Sequence, residues 1–289
     1  ALGPKYAARV KSAEMLAVVE WSYGQLPAYA RVASQQVVPV ERGPVAVAAT
    51  DRSHAALAAE LSFLGLYDEA APELEASGFG LRNAASMAVY NARGGRAHEA
   101  VQIGEATAAR LPDDFRVELL PRSVAELVYP APYREDLRRY AIRSGVDPRF
   151  ELSIARQESR FKPWVKSQAA ARGLMQFITE TSSRLASAEG IAAFDQDDLY
   201  EPSMAIRLGA RYLSELFAMF PDNGYLVAAS YNGGEDNVER WRKRAVDPND
   251  VDLVIAEISY KETKTYVYRV MNNYWAYQAL YSRELSDAR

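Results

Sequence analysis

The chain has 289 residues, 49% of them hydrophobic and 25% charged. That balance permits a sizeable core and either one large domain or two ordinary ones. A formal charge of −4 argues against a general nucleic-acid binder, because neutralising phosphates needs a basic face. Cysteine is absent, and histidine occurs only as His54 and His98. Disulfides, thiolate zinc sites, a cysteine nucleophile and a histidine-rich metal site are thereby excluded.

Nearly every periodic segment reads as helix. Gln36–Val40 is a weak strand candidate, interrupted by Pro39. From Ala55 to Ala76 the apolar spacing is helical, and Gly65 breaks it into two helices. The run Gly65-Leu66-Tyr67-Asp68-Glu69-Ala70 returns 30 residues later as Gly95-Arg96-Ala97-His98-Glu99-Ala100. Each copy is a helix, a glycine turn and a helix opening on Glu-Ala, the grammar of a helical-repeat array. An irregular helical bundle with a chance match remains the alternative. Prolines at 112, 121, 130 and 132 then interrupt helix. The second domain is expected to start near Pro121, giving a helical-repeat domain over 1–120 and a second domain over 121–289.

Asp147-Pro148 predicts a helix start, an N-cap followed by proline at the first helical position. Phe150, Ile154 and Glu158 follow at i, i+4, i+8 and share one face. An apolar stripe thus ends in a carboxyl, and burial there would favour its protonated form. By itself Glu158 also reads as a surface glutamate that pairs with Lys162 four residues on. Gly173-Leu174-Met175-Gln176 predicts a tight turn carrying a polar amide. Leu226–Ser230 reads as a buried helix ending in Tyr231-Asn232-Gly233-Gly234, which suits either a sugar-contacting helix end or a plain glycine cap. The basic run Arg240–Arg244 reads as a solvated helix end. The acidic run Asp195-Gln196-Asp197-Asp198 reads as a solvated loop before the Glu201-Pro202 helix start.

From about Tyr129 onward the chain resembles the catalytic domain of the soluble lytic transglycosylases, a family with a goose-type-lysozyme-like fold. Glu158-Ser159 matches the family's Glu-Ser, and Ser167 matches a serine nine residues later. Gly173 to Gln176 matches Gly-Leu-Met-Gln unchanged. Ser230 to Gly234 matches Ala-Tyr-Asn-Ala-Gly, and Glu262 to Val267 matches Glu-Thr-Arg-x-Tyr-Val. Ser230 and Gly233 depart from alanine, Glu235 from proline and Lys264 from arginine. Phe177-Ile178-Thr179 stands where Ile-Met-Pro is frequent. The resemblance implies an all-α protein: an N-terminal helical superstructure followed by a lysozyme-like helical catalytic domain.

The resemblance also implies an activity on peptidoglycan. Glu158 would be the single catalytic acid, cleaving between N-acetylmuramic acid and N-acetylglucosamine and forming a 1,6-anhydro ring, with no metal or organic cofactor. Ser167 and Gln176 are expected to bond the muramic acid or its acetamido group, and Met175 to line the groove. Tyr231 is expected to contact Glu158 or the developing oxocarbenium region, and Asn232 to hold the turn. Glu262 is expected to meet a stem peptide or sugar, and Tyr266 to lie against the acid. Two competing readings stand: a goose-type-lysozyme-like hydrolase using an acidic residue of 195–198, and a non-catalytic peptidoglycan-binding scaffold. No apolar run approaches the ~20 residues of a membrane span and no signal peptide is visible, so a periplasmic or cell-envelope location is expected from the substrate alone.

Overall fold

The structure is a computed structural model that describes residues 53–78, 81–109, 122–281 and 285. The weak strand at Gln36–Val40 and the prolines at 112 and 121 lie outside these residues. The chain divides into two compact units between Pro132 and Tyr133. Among the described residues there is no β-strand; helices carry both units.

The first unit contains α1 (His54–Phe63), α2 (Tyr67–Ala76), α3 (Leu81–Arg93), α4 (Ala97–Ala108) and α5 (Arg122–Val128). The Ser53 side chain caps α1 by accepting the Ala56 N–H. The two turns anticipated at Gly65 and Gly95 have the same geometry. Their φ angles are +80° and +78°, the left-handed conformation glycine adopts freely. Past each glycine one N–H reaches five residues back, Leu66 to the Leu61 carbonyl at 2.9 Å and Arg96 to the Asn91 carbonyl at 2.8 Å. This is the Schellman closure of a helix end, made twice at the same 30-residue offset. Small residues let the helices approach closely. A Cβ at Gly94 would stand 2.7 Å from the Asp68 nitrogen, and one at Gly104 2.4 Å from the Leu127 carbonyl oxygen. Ala58, Leu74 and Met87 form the core here, with Tyr90 and Ile103 packed against them.

The second unit is built around α7 (Pro148–Ser159). It also contains α6 (Arg134–Tyr140), α8 (Thr179–Ala188), α9 (Pro202–Met219), α10 (Gly224–Gly233), α11 (Glu235–Arg244), α12 (Val251–Ala256) and α13 (Lys261–Leu280). Short 3₁₀ turns occupy Ile142–Ser144 and Gln196–Tyr200. As the sequence predicts, Asp147 caps α7 by accepting the Arg149 N–H at 2.9 Å, with Pro148 in the first turn. The same carboxylate accepts the Tyr274 hydroxyl at 2.9 Å, which ties the start of α7 to α13. Phe150, Leu152, Ile154 and Ala155 are buried along α7. Each large apolar side chain so buried contributes about 1.5–3 kcal/mol. Phe150 also meets Phe217 and Tyr274 edge-on. Helix α13 packs along α7 and α10, and α9 lies against α6, α7 and α10.

The basic run ends α11 as expected, but Trp241 within it is buried. The run's arginines hold the following loop. Arg242 donates to the Pro248 carbonyl at 3.0 Å, and Arg244 donates to the Glu257 carbonyl at 3.0 Å and the Ser259 hydroxyl at 2.7 Å.

Candidate active site

Glu158 lies in the last turn of α7, half-buried. The helix stops one residue later because Arg160 and Phe161 both take left-handed φ values, +48° and +62°. Such a pair is strained without glycine, and the full burial of Phe161 anchors it. Lys162 therefore lies beyond the helix, and the i, i+4 pairing open to Glu158 on sequence grounds does not form. The Lys162 ammonium stands 5.9 Å from the centroid of the Trp164 ring.

The Tyr266 hydroxyl donates to Glu158 Oε1 at 2.6 Å. Burial pushes the Glu158 carboxyl up to about 7. The Tyr266 hydrogen bond opposes that rise by favouring the anion, and the Glu262 charge adds to it. A carboxyl poised near neutrality can both give and take a proton. Tyr266→Phe removes the opposing bond, so the alkaline limb of any activity that needs protonated Glu158 should move to higher pH. A pH–rate profile of this variant against the parent checks it; an unmoved or lowered limb contradicts the geometry.

The segment from Val165 to Phe177 forms a knot of turns. Isolated antiparallel bridges join Lys166 to Arg172 and Arg172 to Phe177. Ser167 Oγ accepts the Ala171 N–H at 3.1 Å, and the Ser167 N–H donates to the Ala171 carbonyl at 2.9 Å. Its hydroxyl proton is still available as a donor. The Gln176 amide donates to the Gly173 carbonyl at 2.9 Å and the Val165 carbonyl at 3.2 Å. The donor half of Gln176 thus fastens the turn, and its amide oxygen is the half left to offer. Ala170, exposed, holds φ at +61°. Ala170→Gly should stabilise the protein by up to about 1 kcal/mol by releasing a left-handed alanine. Thermal denaturation checks this, and a lowered midpoint refutes it.

Met175 differs from the expectation of a groove-lining residue. It is fully buried, and it meets α9 at Gly209, where an added Cβ would stand 2.7 Å from its Cε. Gln176 takes a left-handed φ of +51°, and in the turn so formed Met175 packs into the core. Its carbonyl is what serves the site: it accepts the Tyr231 hydroxyl at 2.7 Å. Tyr231 is held between Tyr212 and Phe177, with ring centroids 5.3 Å and 6.0 Å away. The Glu158 charge acts on Tyr231, whose hydroxyl is pushed well above its usual range mainly by burial.

Tyr231, Asn232 and Gly233 are still helical, and Gly234 ends α10 at φ +82°. Asn232 Oδ1 accepts the Thr263 hydroxyl at 2.7 Å, which clamps the end of α10 to the start of α13. A Cβ at Gly233 would come within 3.1 Å of both Thr263 and Trp241, so this departure from alanine leaves room for those two side chains. Lys264 donates to the Ala256 carbonyl at 2.8 Å, a single bond with no need of a guanidinium fork. Glu262 is exposed at the start of α13.

Three of the expected residues gather directly: Glu158 with Tyr266 in contact, and Tyr231 close enough for their charges to interact. Met175, Gln176 and Ser167 build the turn beside Tyr231, and Asn232 clamps the end of α10 to α13. Sequence reasoning missed Tyr212, Phe177 and Thr263, which position these groups. It also missed Glu151, one helical face with Glu158 at i, i+7 spacing, a signal readable in advance. The acidic run is spent on local structure. Asp195 and Asp198 form a capping box, and Asp197 pairs with Arg172 at 2.8 Å. Among the described residues no group of three or more His, Cys, Asp or Glu is arranged to hold a metal ion.

The site is thus a half-buried acid at the end of α7, bonded to a tyrosine of α13, in a helical unit. Comparisons with known proteins are more specific. Residues 137–253 match the family model described as Transglycosylase SLT domain. A putative soluble lytic murein transglycosylase of Haemophilus influenzae is 35% identical over 155 residues, which is 54% of this chain and 26% of the relative. The soluble lytic murein transglycosylase of Escherichia coli is 29% identical over 160 residues, 55% of this chain and 24% of the relative. The chain therefore spans about a quarter of the length of these curated relatives. The crystal structure of the 70 kDa soluble lytic transglycosylase from Escherichia coli matches with a TM-score of 0.63 at 24% identity, over 81% of this chain and 37% of that one. That likeness speaks for the fold.

Proposed function

We propose that this protein is a peptidoglycan lytic transglycosylase that cleaves the β-1,4 bond between N-acetylmuramic acid and N-acetylglucosamine. The observation that carries the reading is the Glu158 carboxyl, raised to about 7 and hydrogen-bonded by Tyr266. Protonated Glu158 gives its proton to the glycosidic oxygen as the bond to muramic C1 breaks. The resulting carboxylate takes the proton from the C6 hydroxyl of the same muramic acid. That oxygen bonds to C1 and closes the 1,6-anhydro ring. The acid is regenerated, no water is consumed, and the nucleophile is already tethered to its target.

Most glycosidases need a second carboxylate to activate water or attack C1. The acidic residues of 195–198 are engaged in capping and in the Arg172 pair, which favours the single-acid reading over the hydrolase. The other assignments follow the geometry. Ser167 has a hydroxyl proton and Gln176 an amide oxygen for the muramic acid or its acetamido group. Glu262 faces solvent where a stem peptide or sugar can reach it. Tyr266 and Tyr231 set the acid's environment, and Asn232 keeps the end of α10 in place. Met175 acts through its carbonyl.

The second unit is read as the catalytic domain, and the helix pairs that turn at Gly65 and Gly95 as the repeats of the first. Peptidoglycan glycan strands are the partner, and the cell envelope or periplasm is where such a substrate is met. No helix among the described residues is long and apolar enough to cross a membrane. Turbidity loss of purified sacculi tests the reading. Clearance by the parent protein is expected, and binding without clearance would favour the scaffold.

A further inference from the structure

Glu151 is the anomaly of the second unit. It lies on α7 two turns before Glu158, about 10 Å along the helix axis, and it is 0% exposed. Both carboxyl oxygens are buried without a hydrogen-bond partner. Leaving such groups unpaired ordinarily costs several kcal/mol if the carboxyl is charged, and much less if it is neutral. The side chain is pressed against α9: Oε1 lies 2.6 Å from where a Cβ would stand on Gly209. Met175 Cε and Cγ converge on that same point, at 2.7 and 3.2 Å. Only glycine lets the acid and the methionine share the space. Met175 in turn supplies the carbonyl that holds the Tyr231 hydroxyl.

We propose that Glu151 is a positioning residue of the Glu158 site: as the neutral acid it is wedged between α7 and α9 beside Met175, and through Met175 it fixes the Tyr231 hydroxyl near Glu158. The proposal rests on the transglycosylase reading. Burial drives the Glu151 carboxyl well above the usual range, and the Ala210 N–H opposes this only in part. That N–H belongs to the ladder of α9, so it makes no properly formed bond to either oxygen. Among the ionisable groups on the elements packed around it, Tyr231 on α10 feels the Glu151 charge, and no cation acts on the Glu151 carboxyl. The basic side chains of those elements are engaged elsewhere: Arg149 with Asp147, Arg156 with Asn273, Arg207 with Glu189, Arg211 with Glu215 and Lys264 with the Ala256 carbonyl. An ionised Glu151 would therefore be uncompensated, and it would push the proton onto Glu158 and Tyr231.

The test compares the parent with Glu151→Gln, Glu151→Leu and Glu151→Ala, by thermal melts from pH 5 to pH 9 and by initial rates of muropeptide release from sacculi. Folded Glu151 keeps a proton that the unfolded chain releases above its usual value of 4.5, so it contributes a loss of parental stability as pH rises. Gln and Leu should remove that component, and their midpoints should gain on the parent with increasing pH. Gln should keep the parental rate and the parental alkaline limb. Ala, which empties the space beside Met175, should lower the rate per folded molecule about tenfold, a change of about 1.4 kcal/mol in the barrier. Equal pH dependence of the parental and Gln melts overturns the neutral acid. An alkaline limb that falls to lower pH in Gln means that an ionised Glu151 was raising Glu158, and overturns it too. Full activity of the Ala variant overturns the positioning role. If the parent itself releases no muropeptides, the proposed function fails, while the melts still decide the state of Glu151.

Discussion

Glu158→Gln should leave a folded protein that no longer clears sacculi. The substitution keeps the shape of the side chain, and the amide oxygen can still accept the Tyr266 hydroxyl that now reaches Oε1 at 2.6 Å. What disappears is the exchangeable proton. General acid–base catalysis contributes about 10²–10⁴-fold, and in the proposed mechanism one group performs both transfers, so the loss should lie at the upper end of that range or beyond. Stability should move the other way. Folded Glu158 holds its proton up to about 7, whereas the unfolded chain releases it near 4.5. The parent therefore loses stability as pH rises from about 4.5 towards 7, and Gln is free of that loss. The variant should melt at or above the parental temperature at pH 8. A fall in melting temperature that accounts for the lost activity would deny Glu158 its chemical role.

Gly173→Ala should be the most destabilising single change in the turn. At φ +74° an alanine is already strained, and its Cβ would stand 1.9 Å from the Leu199 carbonyl oxygen and 2.8 Å from the Leu199 carbonyl carbon. Leu199 belongs to the 3₁₀ turn Gln196–Tyr200, backbone that is itself held by the capping box at Asp195. The left-handed conformation costs about 1–2 kcal/mol, and overpacking typically adds about 1–3 kcal/mol or more. Gly190→Ala is the matched control. Its φ is +70°, but nothing lies within 4 Å of the added Cβ, so it meets only the first cost. Chemical denaturation should rank Gly173→Ala well below Gly190→Ala. Equal losses would show that the close approach to Leu199 is unimportant.

The local grammar of the chain was legible because it depends on near neighbours. Asp147-Pro148 announced the start of α7, and Gly65 and Gly95 announced two turns that close with the same hydrogen bond thirty residues apart. The position of Glu158 at the end of an apolar stripe was legible as well. Its partner was not derivable from spacing, since Tyr266 comes from a helix 108 residues later; resemblance supplied that expectation. Met175 was misjudged for a conformational reason. In the turn closed by the left-handed Gln176 its side chain packs into the core and its carbonyl meets Tyr231. The acidic run at 195–198 could be read as a loop, but its consumption by a capping box and by Arg172 required three dimensions. Glu151 passed as one more charged residue on a helix because burial depends on Gly209, which is far along the chain.

In the proposed reaction Glu158 alone closes an anhydro ring without water. Mass spectrometry of the muropeptides released from purified sacculi tests it most directly. Fragments ending in 1,6-anhydromuramic acid are expected, each lighter by one water than the hydrolysed counterpart. Fragments with ordinary reducing muramic ends would contradict it and return the site to a hydrolase.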